Sequence, residues 1–63
     1  MGFVYRNIGT DSQGMPRVFG EGPSRDVAES RCRAEARDYV ARRRDTGPLD
    51  AWQFQDHGTR ADA

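Results

Sequence analysis

Few side chains in this chain have types and spacing suited to chemistry. Cys32 is the only cysteine and His57 the only histidine. A histidine-rich metal site is therefore excluded, and one cysteine, one histidine and scattered acids show no metal-ligand spacing. Cys32 falls at four-residue intervals from Ala28 and Ala36. That spacing marks a small core residue on one helical stripe. A reactive thiolate instead needs an electropositive, partly exposed setting. Ser24 has a structural use as a helix cap, and no Ser-His-Asp grouping follows from the spacing. The sequence leads us to expect no enzyme, no cofactor and no metal.

Two backbone and side-chain groupings could bind an anion. Gly20-Glu21-Gly22 precedes a helix start, where free N–H groups can cradle a phosphate and Arg25 can add a charged fork. Glu21 and Asp26 flank the same spot and oppose an anion, and the glycines also suit a tight strand-to-helix turn. Arg42-Arg43-Arg44 can touch phosphates or an acidic partner, or match the negative end of a helix dipole. With Arg17 and Arg25 they form the candidate nucleic-acid set. The aromatics are the other candidate surface. Phe3, Tyr5, Phe19, Trp52 and Phe54 are too many to hide beneath one alanine-rich helix, so two or three are expected on an open sheet face. Interleaved with Arg6 and Arg17, they could stack unpaired bases. Aromatics with arginine are also the signature of protein interfaces. These five are the candidate protein-interface residues, and a sheet-on-sheet homodimer is the plainest arrangement.

The elements that must position these groups are legible from pattern. Phe3 to Ile8 is rich in aromatic and β-branched residues and predicts a strand. Asp11-Ser12-Gln13-Gly14 suits a type I turn. Met15 to Glu21 predicts the returning strand, with Pro16 confined to a strand start or an edge. Ser24 is a good N-cap. From Arg25 the periodicity predicts a helix to about Arg44, with Gly47 and Pro48 as its stop. Its buried stripe is Ala28, Cys32, Ala36 and Tyr39. Glu29–Arg33 and Asp38–Arg42 are spaced as helical ion pairs. The alternation Ala51-Trp52-Gln53-Phe54-Gln55 favours a third strand over a short helix burying Leu49 and Trp52. His57 to Ala63 reads as a frayed, disordered tail. The expected fold is α+β: a small antiparallel sheet of two or three strands in the order β-β-α-β, with one long helix on one face, as a single domain over residues 1–63.

Composition bounds the rest. The chain has 63 residues, with ten basic and ten acidic side chains. Every basic residue is arginine. Zero net charge argues against a strong nonspecific nucleic-acid binder, whose affinity comes from excess positive charge. Leucine, isoleucine, valine and phenylalanine together supply only nine residues. A chain this short buries about 60% of the surface its unfolded form exposes, so association would help it. A single cysteine allows no internal disulfide. No signal peptide is visible, and no apolar run approaches the roughly 18 residues of a membrane span. A cytoplasmic protein without membrane or small-molecule partners is the expectation.

The stretch Gly20 to Ala36 resembles the closing motif of double-stranded-RNA-binding domains. There a glycine-rich turn, Gly-x-Gly-x-Ser, leads into a helix carrying Lys-Lys-x-Ala-Lys. Gly20, Gly22 and Ser24 match the turn, Arg25 the first basic residue and Ala28 the alanine. Asp26 and Glu29 stand where the other two lysines would be, and the family's first helix has no counterpart. The resemblance implies a strand–turn–helix geometry and, through the basic positions, phosphate contacts to RNA. The same hairpin-then-helix pattern is similar to HicB-type antitoxins, to integrase arms and to plant AP2 domains. The expected function is a small non-enzymatic binding module acting through protein contacts, with a nucleic-acid binder as the alternative.

Overall fold

A computed structural model of the chain describes residues 2–61. The chain runs β1 (Phe3–Thr10), β2 (Pro16–Gly22), α1 (Arg25–Arg42), two 3₁₀ turns (Arg44–Thr46 and Leu49–Ala51) and β3 (Gln53–Ala61). The sheet is antiparallel in the order β2-β1-β3, with α1 packed on one face. This is the expected small α+β architecture, with three strands.

The hairpin forms because Asp11 closes it from within. Its Oδ1 accepts from the Gln13 N–H at 2.9 Å and the Met15 N–H at 3.0 Å. Gly14 takes the left-handed conformation that the turn demands, φ 82°, and donates to the Asp11 carbonyl at 3.0 Å. Pro16 opens β2 at the sheet edge, where its missing N–H leaves no ladder bond unmade.

Across the hairpin, Val18, Gly20 and Gly22 face the helix and Phe19 and Glu21 face away. The register shift between Gly9 and Thr10 leaves Arg17 between paired residues. Its side chain reaches the helix side, where it meets Tyr39 of α1. Gly20 lets α1 lie directly on the sheet. A Cβ there would sit 2.3 Å from the Ala28 carbonyl oxygen and 2.4 Å from the Cys32 nitrogen.

Ser24 caps α1 by accepting from the Val27 N–H at 3.2 Å. Ala28, Cys32 and Ala36 are buried and Tyr39 partly so, the stripe expected from periodicity. The helix ends at Arg42, two residues before the expected Arg44. Arg43 turns to extended backbone (φ −133°, ψ 117°) and its N–H closes on the Tyr39 carbonyl at 2.9 Å. The chain then dives so that Thr46 is fully buried. The Ser12 hydroxyl donates to the Thr46 carbonyl at 3.0 Å, pinning this segment to the hairpin turn. Gly47, φ 77°, ends that 3₁₀ turn rather than the helix.

Leu49–Ala51 is one 3₁₀ turn leading into β3, so both forms anticipated for this segment occur in succession. The strand does not stop at Gln55. It continues to Ala61 by pairing with β1 from Thr10↔Gln53 to Phe3↔Ala61. That corrects the expected disordered tail over residues 57–61; residues 62 and 63 lie outside the described residues. The core is small: Val18, Cys32, Ala36 and Trp52, with Tyr39, Val40, Leu49 and Phe54 packed against it. Trp52 meets Tyr39 edge-on at 5.9 Å and stacks with Phe54 at 6.3 Å between centroids.

Candidate interaction surface

One helix on a three-stranded sheet leaves the other sheet face without a cover. Strand alternation assigns its residues. Gly9, Val18 and Phe54 point at the helix, so Val4, Arg6 and Ile8 of β1, Phe19 and Glu21 of β2, and Gln53 and Gln55 of β3 lie on the opposite face. Ile8 pairs with Phe19 on one side and Gln55 on the other, which puts these three in a row across the sheet. Phe19 is 51% exposed, while Val4 and Ile8 are partly buried by their neighbours. Arg6 and Glu21 are also directly paired. Arg6 Nε lies 3.2 Å from Glu21 Oε2, an ion pair in which the Nε–H is not aimed at the carboxylate. The Arg6 guanidinium sits 5.7 Å from the Phe19 ring centre. The face is thus an apolar row bordered by one acid, one base and two amides.

The five expected interface aromatics separate. Phe19 is on the uncovered face. Phe3 is 64% exposed at the end of β1, on the helix-side parity but beyond the last β2 pairing, Tyr5↔Gly22. Trp52 is buried at 6% exposure and belongs to the core, which corrects its assignment to a contact surface. Tyr5 and Phe54 lie on the helix side, partly buried, each beneath a guanidinium: Arg25 at 5.8 Å from Tyr5 and Arg33 at 4.4 Å from Phe54. Sequence reasoning passed over Val4, Ile8, Glu21 and the two glutamines. Their signal was the parity shared with Phe19 once Val18 is known to face inward.

Of the candidate nucleic-acid arginines, Arg17 and Arg43 meet at the Tyr39 hydroxyl, and Arg25 lies apart from them. Arg17 Nε donates to Asp11 Oδ2 at 2.8 Å and its Nη1 to the Tyr39 hydroxyl at 3.2 Å. That bond, the Met15 N–H and the Gln13 N–H hold the Asp11 carboxyl below its usual range. Arg25 pairs with Asp56 at 3.4 Å at the opposite end of α1. Arg43 pairs with Asp45 at 3.3 Å, lowering that carboxyl, and donates to the Tyr39 hydroxyl. Arg42 is exposed, and Arg44 opens the first 3₁₀ turn. Arg17, Arg25 and Arg43 therefore each have an internal carboxylate partner.

The nucleophile candidate is likewise engaged. Cys32 is fully buried on the α1 stripe, and burial, reinforced by the Glu29 charge, pushes its thiol up to about 11. It is protonated at neutral pH and shielded from solvent, the reverse of an activated cysteine. His57 is exposed in β3. Among the described residues, no three His, Cys, Asp or Glu side chains converge as a metal site. Among the described residues, no helix is long and apolar enough to cross a membrane. No family model, curated protein or solved structure matches this chain.

Proposed function

We propose that this chain is a small non-enzymatic binding module that acts through protein contacts on its uncovered sheet face. The observation that carries the reading is the row Phe19–Ile8–Gln55, left open on the side away from α1, with the Arg6–Glu21 pair in the next row and Val4 beyond it. An aromatic anchor with a neighbouring arginine, ringed by groups that can hydrogen-bond, has the composition of a protein-binding patch. The engagement of Arg17 by the buried Asp11 carboxylate weighs against the nucleic-acid reading, because a phosphate would have to compete with it, whereas the exposed pairs of Arg25 and Arg43 compete only weakly. The zero net charge weighs the same way.

The test is a photoreactive benzoylphenylalanine placed at position 19, and in a second variant at position 34 on the outer side of α1. Expected are crosslinks of defined mass from position 19, none from position 34, and loss of the former on adding Ile8→Glu. Amide NMR titration with short RNA and DNA duplexes supplies the opposing outcome. Salt-sensitive shifts at Arg17, Arg25 and Arg42 to Arg44, with position 19 giving no protein crosslink, would overturn this reading in favour of nucleic acid.

A further inference from the structure

The two edges of the sheet are unlike. The β2 edge starts at Pro16, and near its far end the Glu21 carbonyl accepts from Arg31 Nη1 of α1 at 2.9 Å. Proline and a covering charged side chain are the usual means of blocking an edge. β3 is the longest strand, nine residues, and lies at the other edge; one bulge at His57–Gly58, with Gly58 at φ 85°, interrupts it, so the regular edge is Gln53 to Asp56 with Thr59 to Ala61 beyond the bulge. Among the described residues, no loop or side chain hydrogen-bonds to its backbone from the outer side.

The α1 flank above β3 carries charge in a particular order. Arg25 and Arg33 identify this flank through their contacts with Asp56 and Phe54. Along its outer side a shallow depression is lined by Asp26 and Glu29 in the first half, Arg33 and Arg37 in the second, and Ser30 and Ala34 beside them. A two-fold axis beside β3 would set two such helices antiparallel. The Asp26 end of each would then oppose the Arg37 end of the other, while Glu29 and Arg33 also hold each other within one helix at 2.9 Å. A flank of one sign could not do this, so the charge order is self-complementary.

We propose that β3 pairs antiparallel with β3 of a second copy of this chain, forming a continuous six-stranded sheet with both helices on one side. This surface is distinct from the uncovered face and stands without it. A strand edge about 30 Å long and 10 Å thick offers roughly 300 Å², well short of the ~800 Å² per partner of a standard stable interface. The helix flanks add contacts between long side chains only, so the total stays below that size. At ~4.8 Å between strands, two helices lying over their own sheets stand roughly 15–20 Å apart, a gap that facing arginine and glutamate side chains span. A weak, salt-sensitive dimer follows. It also gives the chain the association that so small a core calls for, since its single cysteine cannot form an internal disulfide.

Sedimentation of three proteins tests this: the natural chain, the all-acidic flank Arg33→Glu/Arg37→Glu, and the all-basic flank Asp26→Arg/Glu29→Arg. The natural chain is expected to dimerise and each variant to do so at least tenfold more weakly. An equimolar mixture of the two variants should recover a heterodimer. Independently of any substitution, amide exchange on the natural chain should protect successive β3 amides at high concentration. On dilution every second one should lose protection, as the outer edge is freed. A natural chain that stays monomeric, charge variants that dimerise normally, or variants that fail without recovering on mixing would each overturn the proposal. Phe19→Glu separates the two surfaces. A dimer lost to Phe19→Glu but indifferent to the charge variants would put the second copy on the sheet face and refute the edge pairing. A dimer indifferent to Phe19→Glu, with the alternating protection, supports the edge whatever binds the face.

Discussion

Gly20→Ala is the sharpest test of how α1 sits on the sheet. The added methyl would lie 2.3 Å from the Ala28 carbonyl oxygen, 2.4 Å from the Cys32 nitrogen and 2.8 Å from the Cys32 Cα. Ordinary contact begins at 3.4 Å, so the shortfall at the carbonyl is about 1.1 Å. All three obstacles are helix backbone, so no rotamer change relieves them. The helix must withdraw, and a gap of 0.5–1 Å forfeits roughly a quarter to a half of each dispersion contact along it. Overpacking costs about 1–3 kcal/mol where side chains can yield, and a backbone obstacle puts this case at about 3 kcal/mol or above. The opposing gain, lower entropy of the unfolded chain, is only about 0.4–1 kcal/mol. A domain of this length has about 3–9 kcal/mol of stability, so the substitution removes a third of it or more.

Trp52 makes the measurement direct, being the only tryptophan and buried. With a urea slope of about 1 kcal/mol/M for a chain this small, the unfolding midpoint followed by its fluorescence should fall by about 3 M. Gly2→Ala is the control, since nothing lies within 4 Å of its Cβ position. Gly9→Ala is the contrasting case. Its nearest neighbours are side-chain atoms, Val18 Cγ2 at 2.6 Å and Phe54 Cε1 at 3.0 Å. Val18→Ala should therefore recover part of the Gly9→Ala loss, whereas no side-chain truncation should recover Gly20→Ala. A Gly20→Ala midpoint within about 0.5 M of the natural chain would refute the close approach of helix and strand.

Three further outcomes follow from the same contacts. The Asp11 carboxyl is held below its ordinary 3.8 in the folded chain, chiefly by Arg17 and then by the Met15 N–H. Its stabilising contribution is present above the unfolded value and is lost as pH falls through the folded one. The urea midpoint should drop below about pH 4, and Asp11→Asn should lower it at neutral pH while flattening that drop. The Cys32 thiol, fully buried and raised to about 11, should ignore a disulfide reagent at pH 8 and react with one equivalent only in denaturant; rapid reaction in the native state would contradict its burial. Arg33→Lys keeps the charge but loses the planar group 4.4 Å from the Phe54 ring, and should cost about 0.5–1 kcal/mol by urea unfolding.

The hairpin, its turn, the Ser24 cap and the Ala28–Cys32–Ala36 stripe were legible because local signals determine them. Strand alternation, an Asx-type turn and a 3.6-residue period need no knowledge of the rest of the chain. The C-terminal third obeys contacts distant in sequence. The helix ends at Arg42 because Thr46 is drawn under the hairpin, where Ser12 binds its carbonyl across 34 positions. Gly47 and Pro48 marked the next available stop, not the one used. The stretch Asp56-His57-Gly58-Thr59 has weak strand propensity, yet Asp56 and Thr59 pair with Asn7 and Tyr5, with His57 and Gly58 bulged between them, because β1 is central and offers a free edge. Parity separated Val18 from Phe19 but could not say which of them met the helix. Five aromatics are too many for one helix to cover, but their number does not say that Tyr5, Trp52 and Phe54 are the ones on the helix side.

The arginines show most clearly how an interior requirement can resemble a binding motif. Arg6, Arg17, Arg25, Arg33 and Arg43 each form an ion pair, with Glu21, Asp11, Asp56, Glu29 and Asp45 in turn. The same five guanidinium groups lie over Phe19, Tyr39, Tyr5, Phe54 and again Tyr39. Each therefore roofs an aromatic ring while a carboxylate anchors it. A chain with one leucine and one isoleucine cannot cover its rings with aliphatic side chains. A planar, weakly hydrated guanidinium is the charged group best able to do so, and lysine would not substitute. The pairing takes up five of the ten basic and five of the ten acidic side chains. It also explains why arginines interleaved with aromatics, a pattern suited to stacking bases, are largely occupied within the fold. The ring least covered on the open face is Phe19, 51% exposed, with its own roof Arg6 beside it.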